Sequence, residues 1–127
     1  MSRQVIYSAS APEPIGPYSQ AIKAGNLVFV SGQIALDRAT GAFVNANIKE
    51  ETVQVMKNIE AVLKAAGLDF SNIVKTTIFL KNMGDFPQVN EVYGSYFKAQ
   101  PPARETVEVS RLPKDANVEI SVTAILP

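Results

Sequence analysis

The run Asn47-Ile-Lys-Glu-Glu-Thr-Val-Gln-Val-Met-Lys-Asn-Ile-Glu-Ala-Val-Leu-Lys-Ala-Ala-Gly67, with Ile73-Val-Lys-Thr-Thr-Ile-Phe-Leu80 just beyond it, decides the fold. Apolar residues at Ile48, Val55, Met56, Ile59, Val62, Leu63 and Ala66 fall on one face at helical spacing. Asn47 suits an N-cap, and Glu50 stands three residues on, as in a capping box. Gly67 suits the position just past the helix, where left-handed backbone is common. Ile73–Leu80 is β-branched and aromatic enough for a strand. A helix that delivers the chain into a strand is the core of a layered fold.

Working outward, a second helix is expected to begin near Asp85. Asp85 with Gln88 repeats the capping pattern, and Pro87 fits a first turn. Phe86, Val89, Tyr93, Tyr96 and Phe97 recur at helical spacing, and Pro101-Pro102 stops any continuation. Strands are expected at Arg3–Tyr7, around Ser19–Ala24, and at Leu27–Ser31. Gly25-Asn26 between the last two is a tight hairpin signal. Ile34–Asp37 reads as an extension of that strand, and Thr40-Gly41 as a turn. Arg104–Ser110 and Asn117–Leu126 supply the last two strands. Leu27-Val-Phe-Val30 is apolar on both faces, as in a strand inside a sheet.

The expectation is an α+β fold. A mixed sheet carries two helices on one face, because strand–helix–strand crossovers are right-handed. One domain spans residues 1–127. The other sheet face, with Glu119, Ser121, Thr123 and Ile125 from the last strand, is mildly polar and has no helix to cover it. Such a face suits a subunit interface, so an oligomer is expected.

Composition narrows the chemistry. The 127 residues hold 12 Lys plus Arg and 12 Asp plus Glu, and no His, Cys or Trp. Zero net charge argues against general nucleic-acid or membrane-surface binding. Without Cys there is no thiol catalysis, disulfide or iron–sulfur cluster. A zinc site would need carboxylates alone. No apolar run is long enough to span a bilayer, and Met1–Val5 has no signal-peptide core. The expected location is the cytoplasm, with an organelle such as the mitochondrion as the alternative.

Five places could carry chemistry. Arg104 opens a strand straight after two prolines, a rigid fork for a carboxylate or phosphate; the plainer role is a structural ion pair with Glu105 or Glu108. Glu119 stands in an otherwise apolar and hydroxyl-bearing strand, where partial burial would raise its pKa and make it a usable base; the plainer role is a wet surface carboxylate. Tyr18 follows Ile15-Gly16-Pro17, which fix the backbone and could aim the phenol into a cleft or cap the core. Ser31-Gly32 ends a central strand, where free N–H groups often meet ligands. Asn90 could reach a ligand from the second helix or stay a surface amide.

Taken together the segments resemble one family. They are Ile15-Gly16-Pro17-Tyr18-Ser19-Gln20, Ser31-Gly32-Gln33-Ile34, Asn58-Ile59, Ala65-Ala66-Gly67-Leu68 and Val74-Lys75-Thr76-Thr77. Val89-Asn90-Glu91-Val92-Tyr93, Pro102-Ala103-Arg104, Val107-Glu108-Val109, Arg111-Leu112-Pro113-Lys114-Asp115 and Val118-Glu119-Ile120 complete the set. In order and over nearly the whole chain, they are similar to the RidA family of reactive-intermediate deaminases. The resemblance implies a chorismate-mutase-like fold with ferredoxin-like layering, and a homotrimer with clefts between subunits. It implies hydrolysis of enamines and imines, such as 2-aminoacrylate and 2-aminocrotonate, to 2-keto acids and ammonia, which protects pyridoxal-phosphate enzymes. It also implies that no cofactor or metal is needed.

Carried over, Arg104 would clamp the substrate carboxylate and Glu119 would manage the water and the imine proton. Tyr18, Ser31, Gly32, Asn90 and the backbone at Thr106 would line the pocket. Glu105-Thr106 stands where many members have Ser-Cys, so a thiol nucleophile is impossible and the chemistry must run through water. Two other functions compete: a non-catalytic binder of small carboxylates, and a translation-inhibitor type of ribonuclease, which neutral charge and the lack of His disfavour.

One geometric expectation follows from the implied fold. If the strands of Arg104 and Glu119 run antiparallel, the two residues lie at opposite ends of the sheet. Four residues of offset already span ~13 Å. A keto-acid-sized substrate would not bridge that, so a working site is expected to draw on two chains.

Overall fold

The computed structural model describes residues 2–127. Six strands form one sheet: β1 (Arg3–Ile6), β2 (Ala21–Ala24), β3 (Leu27–Gln33), β4 (Ile73–Leu80), β5 (Ala103–Glu108) and β6 (Val118–Ile125). Two helices join them, α1 (Ile48–Ala65) and α2 (Phe86–Gly94). The spatial order is β1-β2-β3-β6-β4-β5. Only β4 and β5 pair in parallel; every other pair is antiparallel. β3 and β4 both oppose β6, so they run parallel to each other, as a connection through α1 requires. The expected α+β fold, a mixed sheet with two helices, is present.

The opening segment folds as its sequence dictates. Asn47 accepts the Glu50 backbone N–H through Oδ1 at 2.9 Å, while Asn47 Nδ2 donates to the Glu50 carboxylate at 2.8 Å. At the other end Leu68 N–H donates to Leu63 O at 2.8 Å and Gly67 N–H to Lys64 O at 2.9 Å. That is a Schellman closure, and Gly67 takes the left-handed position at φ +76°. The stripe Val55, Met56, Ile59, Val62 and Leu63 is fully buried against Val28, Val30, Ile78, Ile120 and Val122 of the sheet. Each such side chain contributes about 1.5–3 kcal/mol by leaving water.

Three details depart from expectation. Strand β3 stops at Gln33 and residues 34–37 leave the sheet. Buried Asn58 of α1 donates to both Ile34 O and Leu36 O at 2.9 Å, so those carbonyls are satisfied by a helix side chain instead of a neighbouring strand. Asp85 makes no side-chain cap for α2. A single 3-10 turn at Met83–Asp85 precedes the helix, and the capping bond moves up to Asn82, whose Oδ1 accepts Gly84 N–H at 2.8 Å. Tyr96 and Phe97 lie beyond the end of α2, yet they still pack with Tyr93 and Phe70.

Both helices lie on one sheet face. Tyr93 of α2 donates its hydroxyl to buried Thr76 of β4 at 2.9 Å, on the side where Val122, Ile120 and Val118 meet α1. The opposite face carries Glu119, Ser121 and Thr123 with the exposed apolar side chains of Phe29, Val107 and Ile125. Among the described residues no helix is long and apolar enough to cross a membrane.

Candidate active site

Two clefts, on opposite sides of the sheet, collect all but one of the residues singled out by sequence. The first lies between α2 and the start of β5. It has a volume of about 430 Å³ and is lined by Asn90, Tyr93, Gly94, Phe97, Pro101, Pro102 and Arg104. Arg104 is level with Thr76 across the parallel pairing, so its side chain rises on the helix face. There the guanidinium stands 5.4 Å from the Phe86 ring centre and 5.2 Å from that of Tyr93. Each such cation–π contact is worth about 0.5–1 kcal/mol at an exposed site. Arg104 Nη1 also donates to Asn90 Oδ1 at 2.7 Å. Arg104 is exposed, so the fork is fixed in place while its remaining donors stay free.

The second cleft, of about 480 Å³, is lined by Tyr18, Gln20, Ser31, Gly32, Lys114 and Glu119, with Ile15, Ile34 and Leu36 as apolar wall. A β-bulge builds it. Val30 opposes Val122 and Gln33 opposes Ile120, so β3 spends one residue more than β6 over the same stretch. Ser31 and Gly32 occupy that extra length. Gly32 is glycine for a steric reason: an added Cβ would stand 2.9 Å from Glu119 Cδ and closer still to Oε2. The Glu119 carboxylate therefore lies directly on the Gly32 backbone.

Glu119 is half-buried, and among the described residues no protein group donates a hydrogen bond to its carboxylate. Burial pushes its carboxyl above the ordinary glutamate value. Such a group exchanges protons more readily near neutrality than a solvated carboxylate does.

Around it the backbone is held by side chains. Ser31 N–H donates to Gln20 O at 2.9 Å and Ser31 Oγ to Ser19 O at 2.6 Å. Buried Gln20 accepts Ser8 N–H at 2.6 Å and donates Nε2 to Ser8 O at 3.1 Å and to Pro12 O at 2.9 Å. That amide clamps the loop that leads to Tyr18. Gly16-Pro17-Tyr18 closes a three-residue turn, Tyr18 N–H to Gly16 O at 2.9 Å, and the Tyr18 ring stands exposed on the cleft wall.

Asn90 thus joins Arg104, while Tyr18, Ser31 and Gly32 join Glu119. The two sets do not meet within one chain. Arg104 is level with Thr76 and Glu119 with Phe79, three residues apart on β4, or about 10 Å, and two strand spacings of about 4.8 Å intervene. They also project from opposite faces. Thr106 lines neither cleft. It shares the Arg104 face of β5, and its Oγ1 is buried with no hydrogen-bond partner among the described residues. Glu105 alternates to the outer face, bonded to Thr77 and paired with Lys75 at 3.1 Å, clear of the Arg104 cleft.

Sequence reasoning missed Phe86 and Tyr93 as ring partners of Arg104, having placed them only on the core face of α2. It also passed over Lys114 as part of the Glu119 cleft. Among the described residues no group of three His, Cys, Asp or Glu side chains converges as a metal site.

Comparison with known proteins finds relatives in both sequence and overall fold. The sequence profile described as Endoribonuclease L-PSP matches residues 8–126. A RutC family protein of Pyrococcus horikoshii is 53% identical over 122 residues, which cover 96% of this chain and 97% of the relative. Human 2-iminobutanoate/2-iminopropanoate deaminase is 47% identical over 123 residues, covering 97% and 90%. The crystal structure of E. coli TdcF with bound serine superposes with a TM-score of 0.93 at 38% identity, covering 98% of this chain and 99% of that one.

Proposed function

The chain belongs to the Endoribonuclease L-PSP family, which includes the RidA proteins, and from that premise we propose that it hydrolyses small 2-imino acids to 2-keto acids and ammonia. The observation that carries this is the pair of complementary half-sites: a fixed, open arginine fork on one face and a half-buried, unpartnered carboxylate on the other. The names of the human and Arabidopsis relatives, both deaminases of reactive intermediates, support it. So does the serine bound to TdcF, an amino acid whose carboxylate needs a cation.

In the proposed enzyme, copies of the chain associate through the outer sheet face as a cytoplasmic homotrimer with chorismate-mutase-like layering. Each shared cleft joins the Arg104 half of one copy to the Glu119 half of another. Arg104 receives the substrate carboxylate through two parallel N–H bonds. An enamine such as 2-aminoacrylate or 2-aminocrotonate first takes a proton on carbon and becomes the imine in its protonated, iminium form. A water oxygen then adds to the C=N carbon while Glu119 accepts a proton from that water. Glu119 then returns the proton to the amino nitrogen of the carbinolamine, and the C–N bond breaks as the keto C=O forms, the hydroxyl proton leaving with the nitrogen as ammonium. Holding imine and water together converts a bimolecular encounter into a positioned one. Removing such intermediates protects the pyridoxal-phosphate enzymes that release them.

The test generates 2-aminoacrylate with a serine dehydratase and follows pyruvate formation. Acceleration by the protein and its loss in Arg104→Ala is the expected result. No acceleration by the unaltered protein overturns the proposal, and unchanged acceleration in the variant removes Arg104 from it.

A further inference from the structure

The rim of the Glu119 cleft contains two of the three non-glycine residues that are left-handed among the described residues. Lys114 and Asp115 are consecutive and both left-handed, at φ +54° and +57°. Asp tolerates this region; a lysine gains nothing from it. Two adjacent residues of this kind persist only where their surroundings impose them.

The surroundings do so from three sides. The Asp115 carboxylate takes the Lys81 ammonium at 2.7 Å, and Asp115 N–H donates to Leu112 O at 3.1 Å. Lys81 N–H donates to Asn117 O at 3.0 Å. Asn117 in turn donates its backbone N–H and its Nδ2 to the two oxygens of Glu51, both at 2.8 Å. Glu51 is fully buried in α1, so this is an anchor in the core.

What the loop holds in place is a cation. Among the described residues that line the Glu119 cleft, Lys114 alone is basic. Its charge is unspent. Asp115 is already bridged to Lys81, no described acid lies within ion-pair distance of Lys114, and burial alone moves the Glu119 carboxyl, with no share from a neighbouring cation.

A 2-imino acid is an anion, and Glu119, the one carboxyl among the described residues that line the cleft, repels it when ionised. We propose that Lys114 is a specificity-determining residue, whose ammonium offsets that repulsion and draws the substrate carboxylate into the Glu119 cleft before Arg104 of the neighbouring copy takes it. This rests on the deaminase reading for its substrate. Attraction of this kind acts on encounter and weakens with salt, while the chemical step is untouched.

The experiment compares Lys114→Asn, neutral and at ease in left-handed backbone, with Lys114→Arg, which keeps the charge. Expected for Lys114→Asn is a loss of roughly threefold to tenfold in kcat/KM at low salt, carried by KM, that closes at high salt. Lys114→Arg restores the wild-type value, and the melting temperature of Lys114→Asn is no lower than wild type. Pyruvate binding, read by calorimetry, weakens in Lys114→Asn, whereas binding of uncharged pyruvamide does not. A loss shared equally by pyruvamide, a salt-independent loss or a loss in kcat overturns the proposal. Because pyruvate binding needs no turnover, it judges Lys114 even if the wild type fails to hydrolyse imines, which would sink the deaminase reading separately.

Discussion

The Arg104 cleft and the Glu119 cleft are prepared by opposite means. Arg104 is surrounded with favourable partners: two aromatic faces and the Asn90 amide oxygen. Those contacts fix its direction and leave its charge intact. Glu119 is denied partners. It is pressed on a glycine, half removed from water and given no donor among the described residues. A group that must bind an anion needs its charge kept and aimed. A group that must pass a proton needs its charge made less secure. One sheet supplies both conditions because its helix face offers rings and amides, while its outer face offers a bulge.

The contrast breaks first at the charges themselves. Arg104→Ala and Glu119→Gln should each cut kcat/KM for 2-aminoacrylate hydrolysis by about 10²–10⁴. Steady-state kinetics reads this, and a loss below tenfold in either removes that residue from the proposed roles. Next comes Gly32→Ala, whose methyl displaces the Glu119 side chain. A fall of about 10–100-fold in kcat is expected with the Arg104 cleft unaffected, checked by unchanged pyruvate affinity.

Mixing sharpens the comparison further. Arg104→Ala and Glu119→Gln chains refolded together should recover about a quarter of wild-type activity, the fraction of shared sites that draw an intact residue from each copy in a cyclic oligomer. No recovery at all would mean that one chain supplies both halves.

Smaller effects separate ring from hydroxyl. Tyr93→Phe keeps the ring beside Arg104 and loses the bond to Thr76, so about 1 kcal/mol of stability should go while kcat/KM changes less than twofold. Denaturant unfolding and kinetics read the two.

Least in size is the stability of Glu119→Gln, which should exceed wild type by on the order of 1–3 °C in Tm at neutral pH. The sign follows from the raised pKa. The unfolded glutamate ionises first, near pH 4, so wild-type stability falls from there up through the folded pKa and stays lower above it. The advantage of the glutamine should therefore vanish in acid, as a melting series across pH would show.

Alternation along the last strand made the outer placement of Glu119 legible, together with Ser121 and Thr123. Alternation after Arg104 likewise put Glu105 on the other face. What was not legible was where two residues of different elements meet. Arg104 and Asn90 are brought together by a parallel β4–β5 pairing that depends on how α2 packs, and no local pattern encodes that. The bulge at Ser31-Gly32 looked like a strand end, because one extra residue on one side of a ladder leaves no periodic trace. The start of α2 near Asp85 was legible from Pro87 and from Gln88 three residues on, but the 3-10 turn Met83–Asp85 that takes the side-chain cap up to Asn82 left no local pattern. Lys114 was hidden for a related reason: the loop that carries its left-handed backbone is anchored through Asn117 to Glu51, far away in sequence.

Gln20 has a consequence that concerns motion. It touches the loop from Ser8 to Pro12 through one amide that both donates and accepts. The segment that carries Tyr18 is therefore latched by two side chains, the Gln20 amide and Arg38, which donates to Ala11 O at 2.6 Å and pairs with Glu13 at 3.1 Å, and it is pinned to the core by buried Ala11. Releasing both latches would free the segment from Ser8 to Tyr18 as one cooperative unit. The wall of the Glu119 cleft is thus built to move as a unit, its two latches gripping backbone carbonyls that any side-chain sequence in the loop would present.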